Sequence, residues 1–316
     1  MSTDSLKVLI VAGGLTHERD VSVRSGRRVA NSLINQGFDA KVVDFDQNLP
    51  SEISAFGPDV VWPLVHGSLG EDGSLQSLLE GVGLPYVGST PAQAMLASNK
   101  PTAKALVGAA GLDTPGWIAL PQLLFRQLGA HNVLGMINSS LTFPLVVKPS
   151  SGGSALGMSR AQDPGDLRSA MVDAFSYEEH VMLERFIEGR DIAVSVVDLD
   201  EGPIALPPVE VATDDGHYDY DARYTTDESE YFVPARLNND EMTDVQAAAI
   251  QIHELLGLRD LSRIDFIVDD NGSFWFIDAN VSPGMTDTSL FPQAAEATGS
   301  FDEICAAIVR YVAGRG

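Results

Sequence analysis

Apolar residues fall into short runs over the first ninety positions, each closed by glycines or a polar cluster. Leu6 to Ala12 is one such run, ended by Gly13-Gly14, and its unbroken hydrophobicity predicts a strand buried on both faces. A 3.6-residue pattern predicts a helix from about Val21 to Asn35. Phe38 to Phe45 and Val60 to Val65 read as further strands, and Leu75 to Gly81 as a helix. This β-α-β-α alternation predicts a doubly wound α/β domain over residues 1–90.

From about residue 91 the texture changes to α+β. Helical patterns near 91–111 and 121–138 frame a strand at Trp117 to Leu120. A strand then runs into a glycine- and serine-rich loop, Pro144-Leu-Val-Val-Lys148-Pro-Ser-Ser-Gly152-Gly153-Ser154. A helix near 164–175 and the strand His180 to Phe186 complete this unit, residues 91–183. The last unit, 184–316, shows strands near 191–198, 204–211, 262–268 and 274–279. Helices are predicted near 239–256, 288–297 and 301–313.

Two alternating runs in this last unit flank an Asp-Asn-Gly turn and predict a β-hairpin. Arg263 and Asp265 open its first strand, and Asp278 and Asn280 close its second. The hairpin brings Asp265, Asp278 and Asn280 together as hard oxygen ligands suited to Mg²⁺, which takes the rest of its shell from water and substrate phosphates. An ordinary hairpin with polar ends is the competing reading. The Asn280-Val-Ser-Pro-Gly284 tail and a phosphate-type lysine upstream weigh against it.

The net charge of −24 excludes nucleic acid and anionic membranes as partners. With only five lysines (Lys7, Lys41, Lys100, Lys104 and Lys148), an anionic substrate must find its positive charge locally. Lys7 and Lys41 flank early strands and read as surface residues. No apolar run spans a membrane, and the N-terminus lacks the parts of a signal peptide, which predicts a cytoplasmic protein. The single cysteine, Cys305, lies in an apolar helical pattern and reads as a buried structural thiol.

Three loops carry candidate chemistry. At Lys148-Pro-Ser-Ser-Gly152-Gly153 the glycines allow backbone N–H groups to approach anionic oxygens, and Lys148 adds a charge. A flexible surface loop explains the same residues equally well. Glu18, after Gly13-Gly14, stands at a strand end where open α/β sheets bind ligands, and its carboxylate suits an ammonium group. A helix N-terminus with acidic residues is the simpler reading of that loop taken alone. His66-Gly-Ser-Leu-Gly70-Glu71-Asp72-Gly73 is a cap and turn in which His66 is either a substrate contact or a satisfied structural histidine. There is no G-x-G-x-x-G, no Gly-x-Ser-x-Gly elbow and no zinc-ligand spacing.

In combination the motifs resemble the D-alanine–D-alanine ligases of the ATP-grasp fold along nearly the whole chain. The likeness rests on Gly-Gly-x-x-x-Glu18-Arg, His66-Gly-x-x-Gly-Glu71-Asp72-Gly, Leu84-Pro-Tyr-Val-Gly88-Ser, Asn99-Lys100-x-x-x-Lys104, Val147-Lys148-Pro-Ser, Tyr218-Asp-Tyr-x-Ala-x-Tyr224 and Asn280-x-Ser-Pro-Gly-Met-Thr-x-x-Ser289-Leu290. The resemblance implies a two-lobed ATP-grasp module behind the first domain, with ATP between the lobes 91–183 and 184–316. It implies that Lys100 and Lys148 contact the phosphates, Glu184 to Ile187 the adenine and Asp191 the ribose. Asp265, Asp278 and Asn280 would hold two Mg²⁺ ions, with Mn²⁺ as an alternative. Glu18 would bind the ammonium of a first D-alanine, with His66 near the substrate. Ser289 and Leu290 would receive the carboxylate of a second D-alanine. Arg263 and Gly284 would stabilise the oxyanion. Ser154 and Tyr224 would link to Glu18 and close a lid, roughly 212–228, in which Arg223 faces the nucleotide. The resemblance also implies a homodimer and a role in peptidoglycan synthesis.

Three departures from the family pattern stand out. Asp278 stands where the family usually has glutamate, and Arg223 where it has lysine. Ser151-Gly-Gly-Ser-Ala155 replaces a common Arg-Glu-Gly-Ser-Ser. A different acceptor, D-lactate or another amino acid, is the first alternative that these departures leave, and an inactive nucleotide-binding homologue the second.

Overall fold

The structure, a computed structural model, describes residues 5–138, 142–153, 156–213 and 229–315. The first unit is a parallel sheet of order β2-β1-β3, with β1 at Lys7–Ala12, β2 at Asp39–Asp44 and β3 at Val60–Pro63. Alternate residues of a strand face opposite sides. Val8 and Ile10 accordingly pack with Val29 and Leu33 of helix α1 (Arg19–Asn35). Leu9 and Val11 pack on the other face with Leu49 of α2 (Leu49–Phe56) and with Leu75 and Leu79 of α3 (Ser74–Gly81). Both faces are covered, as the unbroken apolar run of β1 predicts. Helix α2 lies outside the predicted elements, although Leu49, Ile53 and Phe56 stand at helical spacing and pack on this face.

The second sheet has the order β4-β7-β5-β6, all neighbours antiparallel. Its strands are β4 (Trp117–Pro121), β5 (Leu145–Pro149), β6 (Ser159–Ala161) and β7 (His180–Arg185). Helices α6 (Gln122–Leu128), α7 (Ala130–Asn138) and α8 (Pro164–Tyr177) accompany it. Val133 and Ile137 of α7 and Leu167, Met171 and Ala174 of α8 share its core with Leu145, Val147, Val181 and Leu183.

The third sheet runs β11-β10-β8-β12-β13, with β9 on the flank of β8. It comprises β8 (Arg190–Leu199), β9 (Gly202–Ala205), β10 (Val209–Thr213), β11 (Ser229–Phe232), β12 (Asp260–Val268) and β13 (Phe274–Asn280). The single strand expected over 204–211 is two strands. Pro207-Pro208 lies between them, and proline supplies no N–H to a ladder.

One face of the third sheet packs on α4 (Pro91–Ser98), α5 (Lys100–Ala109) and α9 (Asn239–Leu255). Ala94, Ala97, Ala103, Val107, Val245 and Ile252 meet Val194, Ile264, Phe266 and Phe276 there. The helical segment grouped with residues 91–183 in the sequence therefore seats on the third sheet. The other face shares a core with the first sheet through α10 (Leu290–Thr298) and α11 (Phe301–Gly314). Cys305 lies in that core, where burial pushes its thiol up to about 12, as expected of a structural cysteine. No described helix is long and apolar enough to cross a membrane.

Candidate active site

The carboxyl end of β1 builds the first wall of the site. Gly13 and Gly14 both have positive φ, and a Cβ at Gly13 would come within 2.4 Å of Asp44 Oδ1. That space belongs to a buttress. Arg19 Nη1 donates to Asp44 Oδ1 at 2.8 Å and to the Gly14 carbonyl at 2.9 Å, while the Gly14 N–H donates to Asp44 at 3.1 Å. The buttress fixes the turn into α1 and with it Glu18. The Glu18 side chain makes no capping bond to its own helix. Glu18 stands at the N-cap position of α1, as the helix-start reading expects, and is also buried and borders the cleft.

Arg19 holds the Asp44 carboxyl down at about 2. A carboxylate depressed on folding stabilises the fold above its ordinary value near 3.8, and that contribution vanishes as pH falls towards 2. Wild-type protein is therefore expected to lose melting temperature more steeply between pH 4 and 2 than Asp44→Asn. Parallel slopes in a calorimetric series would remove this pair from the acid response.

The loop after β3 supplies a second wall. His66 is buried, with Nε2 at 3.1 Å from Ser25 Oγ and Nδ1 at 3.7 Å from Glu71 Oε1. Ser25 also accepts from the Met285 N–H at 3.0 Å, which ties this loop to the 284–289 segment. His66 is thus both satisfied and site-facing. Asp72 caps the start of α3, accepting from the Ser74 N–H at 2.8 Å.

The glycine-rich loop and the hairpin face each other. Lys148 Nζ donates to Glu184 Oε2 at 2.7 Å. Lys100 Nζ lies 3.0 Å from Asp278 Oδ2 and also donates to the Gly152 carbonyl. An added Cβ on Gly153 would stand 2.8 Å from Asn280 Nδ2, which shows how closely the loop meets the hairpin. Within the hairpin Asp265 pairs with Asp278 and Arg263 with Asn280 across the strands. Arg263 grips Asp265 with two parallel bonds, Nε at 2.7 Å and Nη2 at 2.8 Å.

These groups line two adjoining spaces. A cleft of about 450 Å³ is bordered by Lys100, Lys148, Gly152, Asp191, Asp265 and Asp278. A narrow extension of about 20 Å³ is bordered by His66, Arg263, Asn280, Gly284 and Ser289. Glu18, Gly153 and Leu290 border both. Glu184 and Ile187 are buried outside the described lining, Glu184 beneath Lys148. Ser154, Arg223 and Tyr224 lie outside the described residues.

Metal ligation rests on few groups. No cluster of three His, Cys, Asp or Glu side chains occurs among the described residues. Asp265 and Asp278 are nevertheless cross-strand neighbours on the cleft, and a carboxylate engaged by one cation keeps further lone pairs. Two hard carboxylates and an amide oxygen fit a divalent ion that completes its shell with water and phosphate oxygens.

Family models cover most of this architecture. The D-ala D-ala ligase C-terminus matches residues 106–310 and the D-ala D-ala ligase N-terminus matches residues 47–89. The chain belongs to the D-ala D-ala ligase family. It is a ligase with the ATP-grasp fold of that family. The D-alanine--D-alanine ligase of Bordetella petrii is 37% identical over 96% of this chain and 91% of its own length. Two solved structures superpose on it with a TM-score of 0.82. The D-alanine--D-alanine ligase of Bacillus anthracis, at 27% identity, covers 98% of this chain and 97% of its own. The VanG D-Ala:D-Ser ligase of Enterococcus faecalis, at 25% identity, covers 98% and 99%.

Within this ligase the sequence left one group unassigned. Lys104 is fully buried, ion-paired with Glu184 and donating to the Phe276 carbonyl at 2.9 Å and to Thr114 Oγ1 at 3.0 Å. The signal was its spacing: residues four apart share a helix face, so Lys100 and Lys104 point the same way from α5.

Proposed function

We propose that this protein joins two D-alanine molecules into D-alanyl-D-alanine at the expense of ATP, supplying dipeptide for peptidoglycan. The observation that carries the reading is a cleft with phosphate-type lysines and two cross-strand carboxylates beside a smaller space lined by Arg263 and Ser289, with Glu18 bordering both. ATP would lie in the larger cleft between the second and third sheets, its phosphates near Lys100 and Lys148. Asp191 suits a ribose contact. Glu184 and Ile187 then serve the adenine through their backbone, because the Glu184 carboxylate is already committed to lysines. Asp265, Asp278 and Asn280 would hold Mg²⁺, which supplies charge neutralisation to the phosphoryl groups.

A carboxylate is a poor electrophile and needs activation. In this reading Glu18 holds the ammonium of the first D-alanine, leaving its carboxylate directed at the γ-phosphate. Transfer of that phosphoryl group gives an acyl phosphate, and the lysines stabilise the charge spread over the transferred group. The amine of the second D-alanine, its carboxylate held at Ser289 and Leu290, attacks the acyl carbon. Arg263 and the Gly284 N–H stabilise the oxyanion, phosphate departs and an amide remains. Exclusion of water protects the acyl phosphate from hydrolysis. Ser154, Tyr224 and Arg223 belong to this proposal as lid and network residues on sequence grounds alone. A cytoplasmic homodimer is the matching assembly.

The D-Ala:D-Ser ligase fold match supports a second reading in which the acceptor differs. The test is phosphate release from ATP and Mg²⁺ with D-alanine, and with D-alanine paired against D-serine or D-lactate, products identified by mass. Dipeptide of D-alanine is the expected main product. A mixed product as the main species would reassign the acceptor, and ATP binding without turnover of any amino acid would favour an inactive homologue.

A further inference from the structure

Lys104 is the one lysine of the glycine-rich-loop neighbourhood that does not touch the cleft, and its side chain is 0% exposed. It sits on α5 between two sheets. On one side is Glu184 of β7, which also binds Lys148 of β5. On the other are Thr114 and the carbonyl of Phe276, two residues before Asp278 on β13. The ring of Phe276 covers the ammonium at 5.4 Å. Two of its donors go to Thr114 and the Phe276 carbonyl, and the ammonium is ion-paired with Glu184.

The charges decide what this arrangement does. A pair of Lys148 and Glu184 alone presents no net charge to a ligand in the cleft. With Lys104 the triad carries one net positive charge, and only Lys148 of the three borders the cleft. We propose that Lys104 is a positioning residue that offsets the charge of Glu184, so that Lys148 keeps its positive charge for the phosphates of the nucleotide. This rests on the nucleotide site described under the proposed function. Burial lowers Lys104 to about 8, so it remains charged at neutral pH. Burial alone would raise Glu184, but the two ammonium groups outweigh it and hold that carboxyl below its ordinary range. A buried ion pair is weak evidence for stability, since apolar packing often serves as well. The consequence of this one lies in the field at Lys148.

The test compares ATP and adenosine binding by isothermal titration. Lys104→Met is expected to weaken ATP binding at least tenfold while adenosine binding changes less than threefold. Adding Glu184→Gln restores the charge balance and is expected to recover most of the ATP affinity. Equal losses for ATP and adenosine, or a double variant no better than the single, would overturn the proposal. Lys104→Gln, which keeps a neutral donor to Glu184, takes the place of methionine if that variant fails to fold, and carries the same expectations. Dipeptide synthesis by the unaltered protein is measured alongside. Its absence with ATP binding intact would end the D-alanine assignment and leave the role of Lys104 standing.

Discussion

Replacing Arg263 by alanine is expected to lower kcat about 10²–10³-fold, the usual cost of removing one preorganised oxyanion donor. The Michaelis constant for ATP should move far less, because Arg263 borders the narrow extension and not the larger cleft with Lys100 and Lys148. The guanidinium is buried and its fork is held by both oxygens of Asp265, so its orientation is set before substrate arrives. Alanine also leaves Asp265 without this partner. Arg263→Lys separates the two effects, since it keeps the charge and loses the planar fork. It should fall between wild type and alanine in kcat. Near-normal turnover by a folded alanine variant would take Arg263 out of the mechanism.

Much of the framework was readable because its signals are local. The run from Leu6 to Ala12 predicts β1, and the turn at Asn271-Gly272 predicts the pairing that sets Asp265 opposite Asp278. What the sequence withheld is tertiary. Helix α2 is 8 residues long, so its stripe of Leu49, Ile53 and Phe56 is too short to stand out against the neighbouring strands. Helices α4 and α5 lie beside the second unit in sequence, yet their alanine faces fit the third sheet. No periodicity reports which of two sheets an apolar face will choose.

The site shows the same division. Glu18 looked like an ordinary helix start from its neighbours alone. Its place on the cleft follows from the turn after β1, where Gly13 lacks the Cβ that would collide with Asp44 of the Arg19–Asp44 buttress, a pair 25 residues apart in sequence. His66 was readable as either satisfied or site-facing, and it is both, because Ser25 and Glu71 hold it at the edge of the extension. Lys104 is marked in the sequence only by the scarcity of lysines and by its four-residue spacing from Lys100, neither of which names its partner. Only the packing of α5 between two sheets turns it inward to Glu184.

Asp278 is where the chain departs from its family at a proposed metal ligand, and the two substitutions there should part company. Asp278→Asn is expected to reduce turnover more than about 100-fold and to raise the Mg²⁺ requirement. Losing even outer-shell partners of a metal typically costs about 10–100-fold, and this residue would ligate directly. It also leaves Lys100, 3.0 Å away, without its carboxylate. Asp278→Glu should retain or improve activity. The added methylene carries the carboxylate forward by about 1.5 Å, one C–C bond, into a cleft that has room for it. The half-buried Trp275 provides an independent readout, because it lies on the same strand. Its fluorescence, titrated with Mg²⁺ in the presence of ATP, should show weaker binding for asparagine and unchanged or tighter binding for glutamate. If asparagine keeps normal turnover at low Mg²⁺, Asp278 is not a ligand and its pairing with Lys100 is its whole role. If glutamate is dead while asparagine is also dead, the backbone around β13 is fitted to the shorter side chain, and the departure from the family is a tuned feature of this site.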